Sequence, residues 1–144
     1  IYGGSTRAYV LPGYEKREDI STPVVDISSG TTVGFRYLQF GNNTPKQVEI
    51  VLGAHKKLKI NVRIDSYRGR IVASEDVSEN ETERKVELTS AVIGKHAVYF
   101  EFLSEEPGVI AEFDRFSFLQ NVMGLYGTII ARRILGRSTL WNIM

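Results

Sequence analysis

Cysteine is absent from the 144 residues. Disulfides, thiolate zinc sites and thiol nucleophiles are therefore excluded. Histidine is nearly as scarce, with two residues, His55 and His96. They form no paired-histidine zinc motif. His55 sits in a loop or at the start of a strand and His96 begins a strand, so a hydrogen-bonded structural role is expected for both rather than catalysis. No apolar run approaches the roughly 18 residues that cross a bilayer as a helix. An excess of one charge is also missing: 18 basic against 17 acidic side chains leave a formal +1. The chain as a whole lacks the field that draws proteins to nucleic acid or anionic lipid, and neutral partners are expected. Walker-type loops, the dinucleotide glycine fingerprint and the Gly-x-Ser-x-Gly elbow are all absent, which argues against an enzyme.

Ile1 opens the chain without methionine or a basic-then-apolar leader, as expected of a fragment cut from a longer polypeptide. From about Thr22 the dominant signal is period-two alternation rich in β-branched and aromatic residues. In Leu58 to Ile64, the residues Leu58, Ile60, Val62 and Ile64 share one face while Lys59, Asn61 and Arg63 share the other. The same pattern predicts strands near Thr6 to Val10, Pro23 to Ile27, Thr32 to Phe40, Gln47 to Leu52, Leu58 to Ser66, Arg70 to Ser78, Glu83 to Leu88, His96 to Leu103 and Glu112 to Leu119. Turn chemistry such as Ser28-Ser29-Gly30, Tyr67-Arg68-Gly69 and Glu106-Pro107-Gly108 separates them. Short strands at this spacing without helical patterns predict an all-β, two-sheet sandwich of jelly-roll type. The sandwich is assigned to residues 1–120 and a C-terminal extension to 121–144. In that extension Val122, Leu125, Ile129, Ile130 and Ile134 fit one face of a helix, which Gly124 and Gly127 would weaken. A helix, an added strand or a disordered tail remains open there, and packing on the chain's own domain, or on a neighbouring domain now absent, is preferred over a membrane-surface helix.

Acidic residues cluster at Asp76, Glu79, Glu81 and Glu83 and again at Glu105 and Glu106. Without aromatic company they read as solvated loops, and no EF-hand spacing accompanies them. Aromatics are the better lead, because a sugar site needs flat apolar rings beside a few orienting polar groups. Strict alternation puts Phe35 and Tyr37 on one face of their strand, with Leu38 and Phe40 on the other. Phe100, Phe102, Phe116 and Phe118 read as core.

Four segments in order carry a resemblance. They are Thr31-Thr32-Val33-Gly34-Phe35-Arg36-Tyr37-Leu38-Gln39-Phe40, Leu58-Lys59-Ile60-Asn61-Val62-Arg63-Ile64-Asp65 with Gly69, Gly94-Lys95-His96-Ala97-Val98-Tyr99-Phe100-Glu101-Phe102, and Phe113-Asp114-Arg115-Phe116-Ser117-Phe118. Over Thr6 to Leu119 the chain resembles family 6 carbohydrate-binding modules, above all the divergent kind appended to the C-terminus of family 43 glycoside hydrolases. The resemblance implies a jelly-roll sandwich that holds xylan or arabinan near a catalytic domain of the same parent chain, in an extracellular, bacterial cell-surface or periplasmic setting. It implies a cleft at the loop end, with Phe35 at the position of the family's first aromatic and Tyr37 beside it. Glu112 occupies the place of the family's asparagine, and the loop from Asp76 to Arg84 carries no counterpart of its tryptophan. It also implies a structural calcium, for which Asp114 is the matching ligand, while Ala8-Tyr9 stands where an Ala-Glu pair is usual. Trp141 lies outside the resemblance. The alternative is a structural sandwich that packs on a catalytic domain without binding sugar.

Overall fold

The computed structural model describes residues 9–10, 23–123 and 129–137, with side chains over 23–120. Ten strands and no helix occur among the described residues: β1 (Tyr9–Val10), β2 (Val24–Ser28), β3 (Thr31–Gln39), β4 (Gln47–His55), β5 (Leu58–Ile64), β6 (Ile71–Val77), β7 (Glu83–Glu87), β8 (Lys95–Leu103), β9 (Val109–Met123) and β10 (Ile129–Arg137). They form two antiparallel sheets. One has four strands in the order β3-β8-β5-β6, and the other has six, in the order β1-β2-β9-β4-β7 with β10 also paired to β9. The all-β sandwich expected from the sequence is the fold observed. Thr6 to Ala8 of the first expected strand lie outside the described residues. Of the three conformations open for the C-terminal stretch, Ile129–Arg137 adopts the added strand, running antiparallel to β9 from Ile129 opposite Met123 to Arg137 opposite Arg115.

Alternation explains the core. The inward residues of β5, Leu58, Ile60, Val62 and Ile64, stand beside Phe100 and Phe102 of β8 in the same sheet and share one buried cluster with Phe113, Phe116 and Phe118 of β9 in the other. Ring centroids stand 4.6 Å apart for Phe100 and Phe116 and 4.9 Å apart for Phe100 and Phe113. Burying each ring contributes roughly 1.5–3 kcal/mol.

β3 departs from strict alternation. Its register with β8 shifts between Phe35 and Leu38. A bulge of this kind inserts residues without partners and changes which side chains face inward. Val33 and Phe35 point into the core before it and Leu38 and Phe40 after it, whereas Arg36 and Tyr37 are exposed. Phe35 and Tyr37 therefore do not share a face. The apolar residues on both apparent faces of this strand find the same core because the strand changes phase between them.

Candidate functional site

Strand directions sort the loops into two ends of the sandwich. The first end gathers the β2–β3, β4–β5, β6–β7 and β8–β9 connections. Lys56 Nζ donates to Pro107 O (2.8 Å), Ser104 Oγ to Lys57 O (2.7 Å), and the Ser104 N–H to Ser29 Oγ (3.0 Å). His55, closing β4, has Nδ1 2.8 Å from Lys56 O and Nε2 against Glu81 O, so it ties the β6–β7 loop to β4.

That β6–β7 loop is where the resemblance expects an aromatic, and it holds an ionic network instead. Ser78 donates to Glu81 Oε1 from its hydroxyl at 2.9 Å and its N–H at 3.3 Å. Arg84 pairs with Glu81 and lies 3.6 Å from Glu75 Oε1. The Ser78 hydroxyl and N–H, followed by Arg84, hold the Glu81 carboxyl below the usual carboxylate range. Beside this loop, residues 57–59, Asp76 and residues 103–106 line a groove of about 260 Å³.

The four residues expected at a site do not come together. Phe35 is 3% exposed, with its ring against Phe100, Phe113 and Phe116 at 5.9, 6.0 and 4.9 Å. This corrects the expectation of a sugar platform, because its ring edges and faces are already taken up by other rings. Glu112 is half-buried on β9, lying so close to Gly53 of β4 that a Cβ there would sit 2.6 Å from its Oε2. Asp114 is half-buried with Arg115 Nη1 at 3.8 Å. Among the described residues no group of three or more His, Asp or Glu is placed to hold a metal. Among the described residues, Asp114 beside one guanidinium offers a single carboxylate toward the six to eight oxygens that calcium takes. Tyr37 is 57% exposed and belongs to the opposite end.

The second end gathers the β3–β4, β5–β6 and β7–β8 connections. The Phe40 N–H donates to Gly94 O and the Gly94 N–H to Gly41 O, each at 2.8 Å. Gln120, buried on β9, donates its amide to the Phe40 and Asn43 carbonyls and pins the β3–β4 turn. A groove of about 470 Å³ runs between residues 44–47 and 87–91. The β5–β6 turn is held by Arg63, which donates to Gly69 O (2.9 Å) and to Glu101 Oε1 (3.1 Å). Asn61 extends this arrangement across the four-stranded sheet, donating to Glu101 Oε1 (2.9 Å) and accepting from Ser74 Oγ (2.7 Å).

Three solved structures share this two-sheet fold over most of the chain. One is a glycoside hydrolase family 43 arabinoxylan arabinofuranohydrolase from Bacillus subtilis in complex with cellotetraose. The match has a TM-score of 0.66 and 24% identity, and covers 79% of this chain and 24% of the hydrolase. Another is CsCBM6-3 from Clostridium stercorarium in complex with cellobiose, at TM-score 0.60 and 21% identity, covering 81% of this chain and 83% of that one. A third is a family 6 carbohydrate-binding module from Clostridium cellulolyticum in complex with xylose, at TM-score 0.61 and 20% identity, covering 81% and 90%. The chain has the fold of family 6 carbohydrate-binding modules. It spans about a quarter of the length of the Bacillus hydrolase. Neither a family profile nor a curated protein matches the sequence.

Sequence reasoning did not single out Ser78 and Arg84, whose contacts with Glu81 hold the β6–β7 loop, or, at the second end, Asp65 and Lys95, whose side chains lie against His96 and the Tyr37 ring. Ser78 and Arg84 sit three residues to either side of Glu81 in a loop read as merely solvated. Asp65 immediately precedes a turn, where an aspartate is favoured for its tolerance of left-handed backbone. That position was the available signal.

Proposed function

We propose that the chain is a non-catalytic carbohydrate-binding module, holding plant-wall polysaccharide of xylan or arabinan type for an attached glycoside hydrolase. The observation that supports this reading is the sandwich itself, which matches two modules solved with cellobiose and xylose across about four-fifths of the chain. The match to part of a family 43 hydrolase supports the attached catalytic domain. The partners are then a polysaccharide or oligosaccharide and a catalytic domain of the same parent chain, not nucleic acid or membrane. Affinity electrophoresis and calorimetry against xylan, arabinan, cellulose and β-glucans test the reading. Retardation by at least one is expected, and no binding to any would overturn it.

A second reading, a structural sandwich that packs on its catalytic domain without binding sugar, is favoured by the ionic Ser78–Glu81–Arg84 loop and the buried Phe35. Joining the chain to a family 43 catalytic domain and measuring thermal stability with and without it decides that reading. An unchanged catalytic domain counts against it.

A further inference from the structure

At the second end of the four-stranded sheet, two exposed tyrosines flank a fixed, exposed carboxylate. Tyr37 lies with Lys95 Nζ 5.2 Å from its ring centroid, and Tyr67, 41% exposed, has the Arg68 guanidinium 5.3 Å from its own. The strand order β3-β8-β5 puts Tyr37 and the end of β5 two strand spacings apart, about 10 Å. Asp65 follows β5. Its side chain is 64% exposed yet immobilised: Oδ1 lies 2.7 Å from His96 Nδ1, and its own N–H donates to Ala97 O at 2.9 Å. Its φ of +73° is in the left-handed region, which a non-glycine residue seldom adopts and which recurs at functional sites.

These features suit one kind of ligand. A carboxylate offers about four acceptor positions, and His96 engages one oxygen, so acceptor capacity remains for neighbouring hydroxyls. An exposed phenol ring offers an apolar face with a polar tip, to which the CH face of a pyranose is complementary. Asp65 is flanked by the cations Lys95 and Arg68, and Arg36 and Arg70 are also exposed at this end, so donors for sugar oxygens stand beside the carboxylate acceptor and the rings. The β6–β7 loop at the first end lacks this combination, because Arg84 there is paired with Glu81 and lies 3.6 Å from Glu75, and the loop carries no ring.

We propose that Tyr37 and Asp65 form the saccharide site: a pyranose unit stacks on Tyr37 and donates hydroxyl hydrogens to Asp65, with Lys95 and Tyr67 flanking it. This inference rests on the carbohydrate-binding reading and moves its site to the end of the sandwich remote from the β6–β7 loop.

Calorimetry with xylohexaose and cellohexaose on the wild type, Tyr37→Ala, Asp65→Asn and Arg84→Ala tests it. Binding at least tenfold weaker in the first two variants and unchanged in Arg84→Ala is expected. Asparagine tolerates the left-handed backbone and Tyr37 is exposed, so both variants should keep the wild-type unfolding midpoint. Binding that survives both substitutions and is lost in Arg84→Ala would overturn the location while leaving the functional reading intact. Failure of the wild type to bind either oligosaccharide or any of the four polysaccharides would overturn both. Amide chemical-shift changes on titrating the wild type should centre on Tyr37, Asp65 and Lys95, and a centre at residues 78–84 would overturn the location independently.

Discussion

The ring of Phe35 meets the ring of Phe116 edge-on, with centroids 4.9 Å apart, and so joins β3 of one sheet to β9 of the other. Replacing Phe35 by alanine should remove about 3–5 kcal/mol of stability, the usual cost of emptying a buried aromatic position. Urea unfolding measures it. A variant as stable as the wild type but impaired in sugar binding would place the ring at a surface instead.

Asn61 is almost fully buried and accepts from the Ser74 hydroxyl while donating to Glu101. Asn61→Ala should cost about 1–3 kcal/mol, because Ser74 and Glu101 each lose a partner in a partly buried setting. Asn61→Asp should cost more, since it sets a second carboxylate against Glu101. Equal urea midpoints for the two variants would argue that Glu101 is neutralised fully by Arg63.

The Glu81 carboxyl, held low by Ser78 and Arg84, predicts a pH dependence. A depressed carboxylate contributes stability that is fully present above its unfolded-state value and lost as pH falls through its folded-state value. The wild type should therefore keep this contribution at neutral pH and lose it in acid, below the ordinary carboxylate range. Glu81→Gln should flatten that part of the curve of unfolding midpoint against pH, and Ser78→Ala should move it to higher pH. An unchanged acid limb in Glu81→Gln would assign the dependence to other carboxylates.

Asp114 stands beside Arg115 with no carboxylate cluster around it among the described residues. Adding a chelator should accordingly leave the thermal unfolding midpoint where it was. A fall restored by calcium would show that donors from residues outside 23–120 complete a site.

The sandwich could be read from the chain because β5 obeys one rule throughout: each apolar side chain is two residues from the next, and each lands in the core. β3 obeys the same rule in two segments with opposite phase, and local sequence does not say where the phase changes. Phe35 consequently looks like a partner of Tyr37 until the shift opposite β8 separates them. The spacing of Ile129, Ile130 and Ile134 fits a helix face as well as a strand, and it is pairing with β9, a partner distant from any local signal, that selects the strand. The features of the second end were legible only in part. Tyr37 was recognisable as an aromatic, but the left-handed backbone of Asp65 and its contact with His96 depend on β8 lying beside β5, a long-range fact.

β9 has β4 along one side and β2 and β10 in succession along the other. The centre of the six-stranded sheet is thus made near the end of the described chain, whereas the β5–β6 hairpin closes on its own short turn. During synthesis from the N-terminus, the hairpin can form while β2 and β4 still lack the strand that lies between them. Until Val109–Met123 emerges, the inward faces of Val48, Ile50 and Leu52 have no sheet to complete, and the nascent chain carries an exposed apolar surface of the kind that invites aggregation or chaperone capture.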